Sequence, residues 1–154
     1  MRGAFEVMEL VLTLPADRRA PSTARRALRS IARFLPPYSV EDVELLANEL
    51  VTNVIRHSGL APSDRMEIRA AASPARVRVE VIGGGRPFVP RTEPSPDQTS
   101  GWGLFLVGAL SNRWGYFKNG GTAVWFEIDN ERRLSSEPLP PEGIERGRGW
   151  KAIE

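Results

Sequence analysis

A chain of 154 residues with 41% hydrophobic and 26% charged side chains has the size and balance of one globular domain. It holds no cysteine and a single histidine, which excludes disulfides, thiolate metal sites and His-rich metal sites. Nineteen arginines and two lysines against 19 acids leave a net charge of only +2, so the pI near 9.5 marks no basic stripe.

No apolar run reaches the roughly 18–20 residues of a membrane span. The first residues carry Glu6 and Glu9 and read as a strand rather than a signal peptide, so a cytoplasmic protein is expected. Phe5 to Leu14 is mostly apolar and stops at Pro15, which predicts a strand. Pro21-Ser22-Thr23 offers a helix start. Ala24, Ala27, Leu28, Ile31, Ala32 and Leu35 then recur at helical spacing, and Pro36-Pro37 ends the run. The paired arginines Arg18-Arg19 and Arg25-Arg26 suit a solvated helix face better than a nucleic-acid contact, and no nucleic-acid motif accompanies them.

Ser39-Val40-Glu41-Asp42 resembles a capping box, with Asp42 in place of the usual Glu or Gln. The helix it opens runs to about His57 on a stripe of Val43, Leu46, Ala47, Leu50 and Val54, joined by Ile55 at its margin. Ser58-Gly59 closes it. Met66–Ala71 and Val77–Val81 are predicted strands joined at Ser73-Pro74-Ala75, the second with Val on one face and charge on the other. Gly83-Gly84-Gly85 ends that strand, and the proline-rich residues 86–100 read as a loop or lid. Gly101–Leu110 reads as a helix after a glycine turn. Trp114–Phe117 and Thr122–Ile128 then form a hairpin around Lys118–Gly121. Two regions follow: a domain over residues 1–130 and a polar, loosely ordered tail over 131–154. The element order predicts an α+β two-layer sandwich, a mixed β-sheet covered on one face by about three helices.

Within this frame Glu49 and Asn53 stand one turn apart on one helix face, at the edge of the apolar stripe, and His57 continues that face. Asn oxygen suits magnesium, and a carboxylate one turn earlier can take a proton from a hydroxyl attacking a phosphate. Taken alone, the pair also suits an ordinary polar stripe. Gly101-Trp102-Gly103-Leu104 adds a glycine turn into a helix N-terminus, where backbone N–H groups and the helix dipole favour an anion. Trp102, between the two glycines, is a natural fluorescence reporter of such a site.

The combination resembles the GHKL ATP-binding fold of histidine kinases, gyrase and heat-shock chaperones. Within it, the chain is similar to the stand-alone anti-sigma-factor serine/threonine kinases of actinobacteria. Glu49-Leu50-Val51-Thr52-Asn53 with Arg56-His57 is similar to the family's N box. Gly101-Trp102-Gly103-Leu104-x-Leu106-Val107 is similar to its second glycine box, and Asn112–Gly115 with Gly120–Phe126 to its closing hairpin. The resemblance covers about residues 5–129. It implies ATP and magnesium as cofactors, with Asn53 on the metal and Glu49 as the base that activates a serine of a protein substrate. It implies phosphate contacts from Gly101, Trp102, Gly103 and Leu104, a structural or phosphate-side His57, and Thr122 beside the adenine. A sigma factor and an anti-anti-sigma antagonist protein are the implied partners, with neither nucleic acid nor membrane, and the resemblance admits a homodimer.

One box departs. The family's first glycine box has an adenine-reading aspartate after the strand, then a glycine. Here Gly83 stands at the aspartate's place and Gly85 keeps the glycine, while Glu80 faces the wrong side of its strand. Losing a carboxylate–adenine hydrogen bond costs about 1.5–3 kcal/mol, or roughly 10- to 150-fold in affinity. The alternative function is therefore a non-catalytic partner-binding regulator on the same fold, with weak or lost nucleotide binding.

Overall fold

Alternating side chains make Met8–Pro15 the first strand, β1. Leu10, Leu12 and Leu14 lie on its inner side, and Glu9, Val11 and Thr13 are exposed on the other. The computed structural model describes residues 7–34, 37–91, 102–118, 120–130 and 144–145, so residues 5–6 of the expected strand lie outside the described residues. Helix α1 (Ala20–Leu28) has Pro21 in its first turn, where a missing N–H costs nothing. The stretch expected to continue it instead tightens into a 3-10 helix over Arg29–Phe34. Helix α2 (Pro37–His57) begins at the second proline rather than at Ser39, for the same reason that α1 accepts Pro21.

β2 (Arg65–Ala72) and β3 (Arg76–Gly83) form an antiparallel pair. α3 (Trp102–Leu110) follows, then β4 (Arg113–Lys118) and β5 (Thr122–Asp129). A two-residue strand, β6 (Ile144–Glu145), pairs in parallel with Trp114 and Gly115 of β4. The rest of 131–154, expected as a tail, lies outside the described residues. The strand order is β1-β2-β3-β5-β4-β6, antiparallel everywhere except that last edge. This is the expected α+β sandwich with a mixed sheet.

The inner sheet face carries Ile68, Ala70, Val79, Val81, Val124 and Phe126, in register across the central strands, and packs on the buried stripe of α2. That stripe is Val43, Leu46, Ala47, Leu50 and Val54, as predicted, with Val51 fully buried as well because α1 and α3 also pack on α2. Truncating a buried leucine such as Leu50 would cost about 2–5 kcal/mol, so α2 is held firmly where its polar margin is used.

The outer face carries the expected charge, but that charge is buried. Glu80 is 0% and Trp125 3% exposed. Arg78 lies 4.1 Å over the Trp125 ring and donates to Glu127 at 3.0 Å, and Arg113 donates to the same carboxylate at 2.6 Å. Burial pushes Glu80 above the usual carboxylate range, with Arg78 and Arg69 opposing it. Burial also acts upward on Glu127, but hydrogen bonds from Arg113 and Arg78 outweigh it and hold that carboxyl low. Charges on this face survive burial by pairing with each other.

Candidate functional site

Glu49 and Asn53 lie at the half-buried margin of α2, beside Leu50 and Val54, which are fully buried. The packed stripe fixes the rotation of the helix, and with it the direction of this margin. Gly103, in the first turn of α3, sits so close to Glu49 that a Cβ there would strike the Glu49 carboxylate. Leu104 is buried and anchors that turn. The structure thus brings Glu49, Gly103 and Leu104 together, with Asn53 one turn along the same face. Trp102 is the first residue of α3. Gly101 and the lid residues 92–100 lie outside the described residues. The Asn53 Oδ1 atom is shielded from solvent and has no hydrogen-bond partner. An oxygen of this kind is one that a bound group could satisfy. Among the described residues no three acids or histidines converge on a metal position, so a cation here would share its shell with ligand phosphates.

The other end of the site is built where α2 stops. Gly59 takes the left-handed conformation (φ 66°) that ends a helix, and the Arg86 N–H donates to the Ser58 carbonyl at 2.7 Å. That bond straps the exit of β3 to the end of α2. Only glycine fits at position 85, since a Cβ there would strike the same Ser58 carbonyl. At Gly83 an added Cβ would lie 2.5 Å from Val54 Cγ1 and 2.9 Å from Ser58 Oγ. The place of the expected aspartate is therefore not an empty slot, because α2 has filled it. Gly83 is also pressed from the hairpin side, where a Cβ on Gly121 would strike its carbonyl.

Thr122, paired with Gly83 across the sheet, is 0% exposed. Its hydroxyl accepts from the Phe88 N–H at 2.9 Å and donates to the Phe88 carbonyl at 3.0 Å. The Phe88 ring lies 5.5 Å from the His57 imidazole, tilted by 37°. Burial first, then the neighbouring Arg56 charge, holds His57 below its ordinary pKa of 6.5. His57 thus belongs to this end, with Phe88, rather than beside Glu49. Ser58 and Phe88 were not singled out from sequence as site residues. Ser58 read as a helix stop and Phe88 as part of a lid. The only signal was an aromatic residue in an otherwise polar, proline-rich stretch.

Residues 14–128 match the family described as the histidine kinase-like ATPase domain. Among solved structures, the chain is similar to the crystal structure of the RsbU and RsbW domains of Rv1364c from Mycobacterium tuberculosis. The TM-score is 0.59 at 23% identity, over 84% of this chain and 35% of that one. The chain thus spans about a third of that protein chain's length, and the likeness establishes the shared fold. No curated protein matches. With three quarters of its length inside the family's boundaries, the chain belongs to the histidine kinase-like ATPase domain family.

Proposed function

We propose that this domain binds a magnesium nucleoside triphosphate between α2 and α3 and acts as an anti-sigma-factor-like protein serine/threonine kinase. The observation that carries this reading is the shielded, partnerless Asn53 oxygen one turn beyond Glu49, next to the glycine-opened start of α3. Those donors fit the group. Asn53 would hold the cation, and backbone N–H groups at Gly103 and Leu104 would meet phosphate oxygens. Magnesium, when bound, supplies neutralisation of the phosphate charge. Glu49 accepts the proton of an incoming serine hydroxyl, a role supported by its place against Gly103 at the start of α3. On this reading the partners are a sigma factor and an antagonist protein that carries the serine.

Calorimetry with millimolar ATP, with and without magnesium, is the first test. Binding that needs magnesium and a Glu49→Gln variant that binds but does not transfer phosphate support the kinase. No heat with any nucleotide would remove it. A second reading, a partner-binding regulator without nucleotide, is favoured by the closed Gly83 and the engaged Thr122 hydroxyl. It requires a sigma-factor or antagonist complex whose affinity ignores added nucleotide, and an ATP-dependent complex would dismiss it.

A further inference from the structure

One row of residues crosses the sheet in register from β1 to β4: Val11, Arg69, Glu80, Trp125 and Gly115. Positions in register share one face, here the outer one. Exposure falls along the row. Val11 is 63% exposed and Arg69 is half-buried, whereas Glu80, Trp125 and Gly115 are buried. The helices lie on the opposite face, against the core. A sheet layered on one side only leaves its other face to solvent unless further chain lies over it. Cover therefore lies over β3, β5 and β4 and stops short of β1.

Two shielded polar atoms under that cover have no hydrogen-bond partner: Glu80 Oε1, which needs a donor, and Trp125 Nε1, which needs an acceptor. Glu80 and Trp125 are cross-strand partners. A peptide group supplies a donor and an acceptor close together. Arg78 lies over the Trp125 ring at 4.1 Å, and Gly115, the next residue of the row, has no side chain to keep a covering chain away.

The chain available to cover them leaves β5 at Asn130, whose N–H donates to the Ala75 carbonyl in the β2–β3 turn at 2.8 Å. It returns at Ile144, paired with Trp114 beyond β4. Joining those points takes two to three strand spacings, about 10–14 Å. Residues 131–143 reach about 40 Å when extended. The surplus is enough to climb the outer face to the Glu80–Trp125–Gly115 row and come down to β6. Residues 1–6 precede β1, the strand whose Val11 is open, and residues 92–101 lead into α3, which packs on α2 at the other face. The segment contains Pro138-Leu139-Pro140-Pro141. Such a run favours an extended left-handed helix with its carbonyls unpaired, and aromatic-lined surfaces dock it.

We propose that residues 131–143, expected from sequence as part of a loose tail, dock across the outer face of the sheet. Pro138–Pro141 lie on Trp125 and Gly115. One of their carbonyls accepts from the Trp125 indole N–H, and a peptide N–H of the segment donates to Glu80 Oε1. The outer face is then taken by the chain itself, and partners meet the domain elsewhere. This inference is independent of any nucleotide.

The chain has no cysteine, so Ser136→Cys in the full chain carries a single nitroxide label. Paramagnetic broadening of the tryptophan indole N–H resonances, assigned through bonds, reads what lies near it. The Trp125 signal should be lost, while that of Trp102, in α3 on the other face, should remain. Equal, weak broadening of both would overturn the proposal. A mixture of spin-labelled chain with isotope-labelled chain free of nitroxide should leave Trp125 sharp. Broadening there would assign the surface to a second copy and overturn docking within one chain. Changing Pro138, Pro140 and Pro141 together to glycine should restore the Trp125 signal, and a signal still lost would overturn the proline contact.

Discussion

The two ends of the site have kept different things. At the α2–α3 end, Glu49 lies against Gly103 and the Asn53 oxygen is shielded without a hydrogen-bond partner, an arrangement the proposed phosphate chemistry would use. At the β3 end, Gly83 stands where the family resemblance leads one to expect an aspartate, and Val54 and Ser58 lie where a side chain there would begin. The difference is one of constraint. Phosphate and cation contacts demand particular donors at particular distances, whereas a base can be held by several combinations of hydrogen bonds and packing. On the proposed reading, the base end can therefore vary while the phosphate end is held.

Asn53→Ala gives the sharpest break between the two ends. Loss of the Asn53 side-chain oxygen, the proposed cation ligand, should weaken magnesium-dependent nucleotide binding by at least about 100-fold, more than outer-shell substitutions around metals do. Thermal stability should hold, because the Asn53 oxygen bonds nothing in the fold. Titration calorimetry and a melt on the same sample read both, and a folded variant that still binds would displace the cation from Asn53.

Gly83 comes next. An Ala or Asp there must push its Cβ into Val54 and Ser58, an overpacking that costs about 1–3 kcal/mol. Gly83→Asp alone should therefore lower stability without raising ATP affinity, whereas pairing it with Val54→Ala should recover much of the loss. Denaturant unfolding of the single and double variants checks this. A Gly83→Asp protein as stable as the parent and tighter for ATP would mean that the aspartate slot is open after all.

Sequence made α2 legible because its apolar residues recur at helical spacing on one side, and the margin bearing Glu49 and Asn53 follows from that spacing. The hairpins were legible from their turns. What escaped was whatever depends on a neighbour distant in sequence. Alternation places Arg78 and Glu80 on the outer sheet face, but periodicity is silent on whether that face is wet, and their burial with Trp125 and Glu127 is tertiary. Gly83 read as a missing carboxylate, and no sequence pattern tells that Val54 and Ser58 lie where its Cβ would be. Phe88 sat in a proline-rich stretch without periodicity, and only the fold brings its peptide to Thr122.

Gly103→Ala probes the intact end from the α3 side. The added methyl meets the tip of Glu49, a flexible side chain that can swing away, so stability should change little, helped by the better helix propensity of alanine. The carboxylate would then be displaced, and phosphotransfer should fall by about 10- to 100-fold while nucleotide affinity changes less. Single-turnover transfer to an antagonist protein measures this. Equal losses in transfer and binding would mean that the methyl disturbs nucleotide binding itself and that Gly103 does not keep Glu49 in place for transfer.

The smallest effect belongs to the β3 end and reports whether Phe88 sits there in solution. His57 titrates below 6.5 because burial, then Arg56, disfavours its imidazolium. Phe88→Ala removes the ring 5.5 Å away and should move the His57 pKa back toward its ordinary value. The Thr122 bonds remain, since they go to the peptide and not to the ring. A pKa depressed by folding means that the unfolded chain binds more protons as pH falls past 6.5. The His57 contribution is then complete above that value and is lost as pH falls through the folded pKa. Between about pH 7.5 and about pH 5.5 the parent should therefore lose slightly more stability than Phe88→Ala. Histidine NMR is decisive because this is the only histidine in the chain. A resonance whose pKa ignores the substitution would detach Phe88 from the base end and leave Thr122 open to a ligand.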